Sequence, residues 1–491
     1  MFLARLLVLF SLVCISCAHS SFEQKQLKHA LDFATSNRLE LEILLQHYTY
    51  DSLKLEAAKF LIRNMPHCYS YQQGGEMDSV KRVRTYYSPF GQIDQTYARR
   101  WGHYTYRNLP KIYDAHIITA EYLIDNIDRA FDNWQKRPWN RSLSFEDFCE
   151  YLLPYRIGDE PLEEWRELYE KKYGYLLDSI YKGSDVVEAA NLVSRHLQEP
   201  VFIYCEDFEL PHIGPRYLFS HRYGSCVDAA DIVTYAFRAV GIPCMEDTDA
   251  RGGHVWNVVR DTTGRDVPIW YIASEAVRGS RDTGGYKRGK VYRPMYGFQE
   301  EKAAHLGDDW KSMPLLFYHP YMKDVSYAYY PDTLRILTGI PDDEVCYLAH
   351  FHEAHWWSCA CARSASGKME IPNLESELVY LPIKYTKGNY YPSGFPFWFA
   401  GGEINTFLPD WEKTVKVRLY RKYPVYGWLR SFMGHVVGGT FEGSMTKNFE
   451  DGKTLYEIAD TPVIARNRIF LNKSVKCRYI RYKADNDKCA E

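Results

Sequence analysis

The sequence is short of the features that would place it quickly. Outside the apolar N-terminal run it has no CxxC pair among the ten remaining cysteines, so zinc-ribbon chemistry is excluded. It has no excess of either charge: 60 Lys and Arg face 63 Asp and Glu, a formal net charge of -3. That balance offers no electrostatic footprint for nucleic acid and no solvating acidic tail. There is no repeat at solenoid period and no low-complexity linker. After the first twenty residues no run is apolar enough to cross a bilayer. The 12 cysteines are scattered rather than clustered, which excludes a small disulfide-stapled scaffold.

What is present is ordinary globular material of unusual aromaticity. The 491 residues allow about three domains. The 41 Tyr and 12 Trp suit half-wet faces, including strands and sugar-binding surfaces. At the N-terminus, LLVLFSLVCISC follows a single positive charge and is too short to span a membrane. It is placed like a signal-peptide core. Cys14-Ile15-Ser16-Cys17 resembles a bacterial lipoprotein cleavage site, which implies export and lipidation of Cys17; an ordinary signal peptide would be cut near Ala18.

The organisation changes twice. From Phe22 to Pro200 the periodicity is helical: Ala120, Leu123, Ile124, Ile127 and Phe131 make one apolar face. Ser144 and Ser184-Asp185 offer N-caps, and Pro154 and Pro161 break the run. Residues 201–310 read as an α+β core. From 325 to 410, VSYAYY, LRILTG, CYLAHFH, ELVYLPIKY and FPFWFA read as the strands of a β-sandwich. Residues 411–491 continue as β-rich segments, with KVRLYRKYPV, GGTFEGS and KCRYIRYKA as strands.

Chemistry concentrates in the core. Ala229, Val233, Ala236, Phe237 and Val240 form a buried helical stripe that Gly241-Ile242-Pro243 stops. Cys226 therefore opens a helix behind Gly224-Ser225, where free amides and the helix dipole favour a thiolate. His254 follows Gly252-Gly253 at the start of a Val-rich strand, 28 residues further on. A hairpin through Asp261-Thr262-Thr263-Gly264 leads to the next strand, VPIWYIASEA. A Cys-His pair works as a nucleophile when a third group orients the imidazole. Glu275 is the choice from that strand, with Ser274 and Asp266 as alternatives. The other reading of Cys226 is a buried core thiol.

Gly224-Ser225-Cys226, Arg238-Ala239-Val240-Gly241-Ile242-Pro243 and Gly253-His254-Val255-Trp256 together resemble the transglutaminase-like superfamily, which has a papain-like fold. LEAAKFLIRNM, FEDFCEYLLPYRIGDEPLEEWR and GKVYRPMYGFQ are similar to segments of its large exported Bacteroidetes members. The resemblance implies a Cys-His-acid hydrolase or acyltransferase acting on peptide or glycoprotein amides, without metal or cofactor; peptide:N-glycanases share the superfamily. It carries over Cys226 and His254. The family's strand-end Asp has no counterpart inside Val267–Glu275. That departure implies the alternative of a catalytically weak scaffold that binds a glycan or protein. GGTFEGSMTKNFEDGKTLYEI and KCRYIRYKADNDKCAE resemble a galactose-binding-like β-sandwich, for which a sugar is the implied ligand.

His350, His352, Glu353 and His355, followed by Cys359 and Cys361, hold metal-ligand chemistry but not HExxH spacing. Packed strand residues and a wet loop are expected there. The expected whole is multidomain: residues 1–17 a signal or lipoprotein peptide, 22–200 helical, 201–310 the core, 325–410 a sandwich, and 411–491 galactose-binding-like.

Overall fold

The computed structural model describes residues 22–86, 100–101, 104–205, 208–270, 275–281, 287–299, 313–337, 342, 344–352, 355–386, 388–410, 412–413, 433–462, 468–471 and 475–484. The protein is multidomain and of mixed α+β type. It divides into two compact units, Met1–Phe407 and Leu408–Glu491.

Among the described residues before Gln198 lie the α-helices α1 (22–33), α2 (Arg38–His47), α3 (Ser52–Asn64), α4 (Glu76–Arg84), α5 (Ala120–Lys136), α6 (Phe145–Tyr151), α7 (Arg166–Tyr175) and α8 (Val186–Leu197). Their starts are chemically marked. The Ser144 side chain accepts from the Asp147 amide, and Asp185 accepts from the amides of Val187 and Glu188. Each such cap is worth about 1 kcal/mol. On α5, Leu123, Ile127 and Phe131 are buried against α2 and α3 residues in one core. Two three-residue strands, β1 (Tyr69–Tyr71) and β2 (Lys111–Tyr113), pair antiparallel among these helices.

The next element group carries the site. Strands β3 (Ile203–Tyr204) and β4 (Tyr223–Gly224) pair in parallel, with α9 (Pro215–Ser220) between them in the chain. Helix α10 (Cys226–Ala239) follows directly. Its stripe of Ala229, Val233, Ala236 and Phe237 is fully buried against α7 and α8. Burial of each larger apolar side chain contributes about 1.5–3 kcal/mol. Gly241 takes φ +81, and the chain reverses there into β5 (Cys244–Asp249). The hairpin partners β6 (Val255–Arg260) and β7 (Asp266–Ile269) come next. With β8 (Val291–Pro294) and β9 (Met322–Asp324) they make an antiparallel sheet of order β7-β6-β5-β8-β9.

Beyond it, β10 (Leu334–Leu337) pairs with β13 (Lys368–Ile371). A six-stranded antiparallel sheet is built from β11 (Val345–His352), β12 (His355–Arg363), β14 (Leu378–Thr386), β15 (Asn389–Pro392), β16 (Phe397–Ala400) and β17 (Glu403–Thr406). Leu334, Met369 and Ile371 pack with Leu348, Tyr380 and Phe399 in one core. VSYAYY is not a strand: Ser326–Ala328 is a 3-10 turn. The reason is long-range, because Ser326 Oγ accepts from the Val291 amide and Tyr329 is drawn to Asp247. The packed strand residues expected around His350 are those of β11 and β12, which pair from Val345–Arg363 to His352–His355.

In the second unit β18 (Thr440–Ser444), β19 (Lys453–Glu457) and β20 (Tyr479–Lys483) form a sheet of order β19-β18-β20. KVRLYRKYPV lies outside the described residues.

Candidate functional site

The start of α10 is held by one carboxylate. Asp228 Oδ2 accepts from the Ser225 amide at 2.8 Å and from its Oγ at 3.2 Å. The same oxygen is 2.9 Å from Arg84 Nη1, and both side chains are buried. Arg84 comes from α4 and also donates to the Phe208 carbonyl at 3.2 Å. No local pattern announces it. Gly224 makes room: a Cβ there would lie 2.4 Å from the Asp228 side chain. Gly224→Ala is therefore expected to displace the cap and cost about 1–2 kcal/mol, the value of a helix N-cap, read by urea unfolding. An unchanged midpoint would show that the cap accommodates the methyl.

Cys226 is the first residue of α10 and is 5% exposed. At this position the amides that open the helix present partial positive charge. One turn on, the Ala230 carbonyl accepts from Asn257 Nδ2 at 3.0 Å, and the same Nδ2 reaches Thr234 Oγ1 at 2.9 Å. Asn257 thus rivets β6 to the strip of α10 that contains Cys226. The reversal at Gly241 sends β5 back along α10, and β6 is antiparallel to β5. So β6 runs with α10, and the two share a starting end. His254 stands one residue before β6 and is 5% exposed. Its ring lies 5.6 Å from that of Trp256 and 4.7 Å, edge-on, from that of Trp270.

The turn delivering His254 is built on Asp249, a residue that the sequence reading passed over. Its Oδ1 accepts from the amides of Arg251 at 3.1 Å and Gly253 at 2.8 Å. Its Oδ2 takes the Arg251 guanidinium at 2.8 Å. The His254 carbonyl accepts from the Asp249 amide at 3.2 Å and from Thr248 Oγ1 at 3.1 Å. DxRGG at a strand end was the available signal: an Asx-type turn with Gly252 at φ +68.

Cys226 and His254 are brought to one end of the α10–β6 layer. The acids chosen for the third position are placed elsewhere. Glu275 Oε1 is 2.6 Å from Arg195 Nη1 of α8, with both side chains half exposed. The next residue is clamped to the same helix, since Ala276 exchanges two bonds with Asn191. Asp266 pairs with Arg260 at the far end of β6 and binds Arg293 at 2.7 Å. Ser274, the remaining alternative, lies outside the described residues.

A cleft of about 550 Å³ borders Ser225, Val227 and Asp228 at the start of α10 and Gly252 of the His254 turn. His212 and Asp159 line its far wall. His212 Nδ1 is 2.9 Å from Asp231 Oδ2, which belongs to α10. Burial opposes a charged imidazole there, but the Asp231 carboxylate outweighs it and holds His212 well above the ordinary range. The other core thiols behave oppositely to an activated one: burial pushes both Cys68 and Cys244 up to about 12.

His350 is fully buried, and burial lowers it to about 4. Among the described residues no group of three His, Cys, Asp or Glu is arranged to hold a metal ion. No helix among them is long and apolar enough to cross a membrane. Cys17 and Glu353 lie outside the described residues. Comparison with protein-family models, with curated proteins and with solved structures finds no match to this chain.

Proposed function

We propose that this chain is an exported cysteine-dependent amide hydrolase or acyltransferase of transglutaminase-like type, with a papain-like core at residues 201–310. Its substrates are peptide or glycoprotein amides. The observation that carries the reading is the placement of Cys226 at the first position of a capped, buried helix whose start borders the cleft, at the end of the layer where His254 immediately precedes β6. In this reading His254 takes the thiol proton, and the Cys226 thiolate attacks the amide carbonyl. The amine leaves with the proton returned by His254. Water or an amine then resolves the thioester. Amides at the α10 start stabilise the tetrahedral oxyanion. Lipidation at Cys17 and a galactose-binding-like region at 411–491 complete the reading as a surface-anchored protein.

The test is the pH dependence of Cys226 alkylation by iodoacetamide in the intact protein. A midpoint well below that of a free thiol, about 8.5, supports it. Cys68 and Cys244 are buried, and peptide mapping separates Cys226 from the partly exposed Cys361 and Cys477. A second reading has a specific observation behind it. Glu275 and Asp266 are each committed to arginines away from His254. A weak transglutaminase-like scaffold that binds a glycan or protein fits that commitment. A Cys226 midpoint near the ordinary value would favour it.

A further inference from the structure

We infer that Asp249 is the positioning residue for His254, acting from the strand before the histidine rather than from the strand after it. The inference rests on the Cys226–His254 reading above. Thr248 pairs with Val255 in the β5–β6 ladder, so the next rung sets Asp249 against His254. The Asp249 amide bonds the His254 carbonyl on that rung. The Asp249 side chain is fully buried, and its two oxygens collect four donors from the residues between the strands: the amides of Arg251 and Gly253, and Nε and Nη2 of Arg251. The Gly252 amide bonds the Asp249 backbone carbonyl at 3.0 Å, and Arg251 and Gly253 on either side are tied to the one carboxylate. Charge-assisted bonds of this kind are roughly twice as strong as neutral ones. The tie is continued outward, because the Arg251 guanidinium lies 6.0 Å over the Trp357 ring of β12.

Other charged groups face this corner. His350 of β11 is influenced by both Arg251 and Asp249, and burial keeps it neutral by lowering it to about 4. Asp247, on the same side of β5, is closed off by Arg293 and Tyr329. Arg288 stands over Trp256 at 4.8 Å. Asp249 bonds the Arg251–Gly253 turn four times.

Two measurements on the full chain test the assignment. In wild type, amide hydrogen exchange at Gly253 and Arg251 is expected to be slowed to the level of the β5–β6 ladder. Exchange at open-loop rates would overturn the tie, and this arm holds whatever Cys226 proves to be. The second compares Asp249→Asn with wild type in the pH profile of Cys226 alkylation, with thermal melting alongside. The expected result is a midpoint raised by about one unit or more, which is about tenfold less thiolate and about threefold less labelling at the acid end. A merely structural role would lower the melting temperature and leave the midpoint in place, which overturns the inference. So would a midpoint that moves with Glu275→Gln and not with Asp249→Asn. An ordinary wild-type midpoint would instead remove the nucleophile reading, leaving exchange to decide whether Asp249 fixes the turn.

Discussion

His254→Ala is expected to slow alkylation of Cys226 at pH 5 by about 40-fold and to speed it at pH 9.5 by a similar factor. The crossing comes from two opposed effects. A Cys paired with an imidazolium at a helix start has a pKa of about 5, against about 8.5 when unassisted. At pH 5 this gives roughly 1,600 times more thiolate in wild type. A thiolate of lower pKa is also a poorer nucleophile, by a Brønsted slope of about 0.4–0.5, which takes back roughly 40-fold. Near neutral pH the two nearly cancel, so a single-pH comparison would miss the effect. At pH 9.5 both thiols are ionised and only the nucleophilicity term remains. The check is a full profile from pH 4.5 to 10, reading Cys226 by peptide mapping. Parallel profiles with one midpoint would show that His254 does not hold the Cys226 proton, and the enzyme reading would fall.

The parts of this site that were legible in the sequence are those set by short-range physics. The stripe of α10 follows from helical period, and Ala229, Val233, Ala236 and Phe237 are indeed in the core. The Asp261–Gly264 turn and its two strands follow from turn chemistry and branched residues. Ser144 and Asp185 cap where their chemistry indicated. What escaped depends on distance along the chain. Arg84 meets Asp228 across 144 residues, and nothing near either residue encodes the other. VSYAYY has the composition of a strand, but Ser326 and Tyr329 are claimed by Val291 and Asp247 and the segment turns instead. Glu275 stands near the end of the stretch VPIWYIASEA that reads as one strand, but β7 is Asp266–Ile269, and Glu275 pairs with Arg195 of α8. Asp249 escaped for a different reason: it lies before the histidine, where a triad pattern does not look.

Arg293→Met is expected to be the most destabilising single change near the site. Arg293 is buried beneath the Trp256 side of β6. Its Nε is 2.5 Å from Asp247 Oδ1 and its Nη1 2.7 Å from Asp266 Oδ2; Nη1 also bonds the Tyr151 hydroxyl. Tyr329 donates to Asp247 at 2.6 Å and accepts from the Trp256 indole at 2.9 Å, so the network reaches the ring against which His254 packs. Methionine fills much of the volume but strands the buried Asp247 carboxylate, whereas Asp266 keeps Arg260 at 3.2 Å. Breaking such a pair costs about 3–5 kcal/mol, more than the intact pair is worth against an apolar replacement. Burial already raises Asp247 above the usual carboxylate range, with Arg293 pulling it down. Without Arg293 the folded pKa rises further above the unfolded one. A carboxyl shifted in that direction favours the fold below its unfolded pKa and opposes it as pH rises through the folded pKa. The loss should therefore shrink between pH 7 and pH 5, as read by urea unfolding at each. Adding Asp247→Leu should recover part of it, since the stranded charge and not the missing arginine is what costs. A loss independent of pH and not relieved by Asp247→Leu would trace the damage to packing. The same variant separates scaffold from positioning: Arg293 supports the sheet under Trp256, whereas Asp249 ties the turn that carries His254. Arg293→Met should lower stability with the Cys226 midpoint unmoved, and Asp249→Asn should move the midpoint.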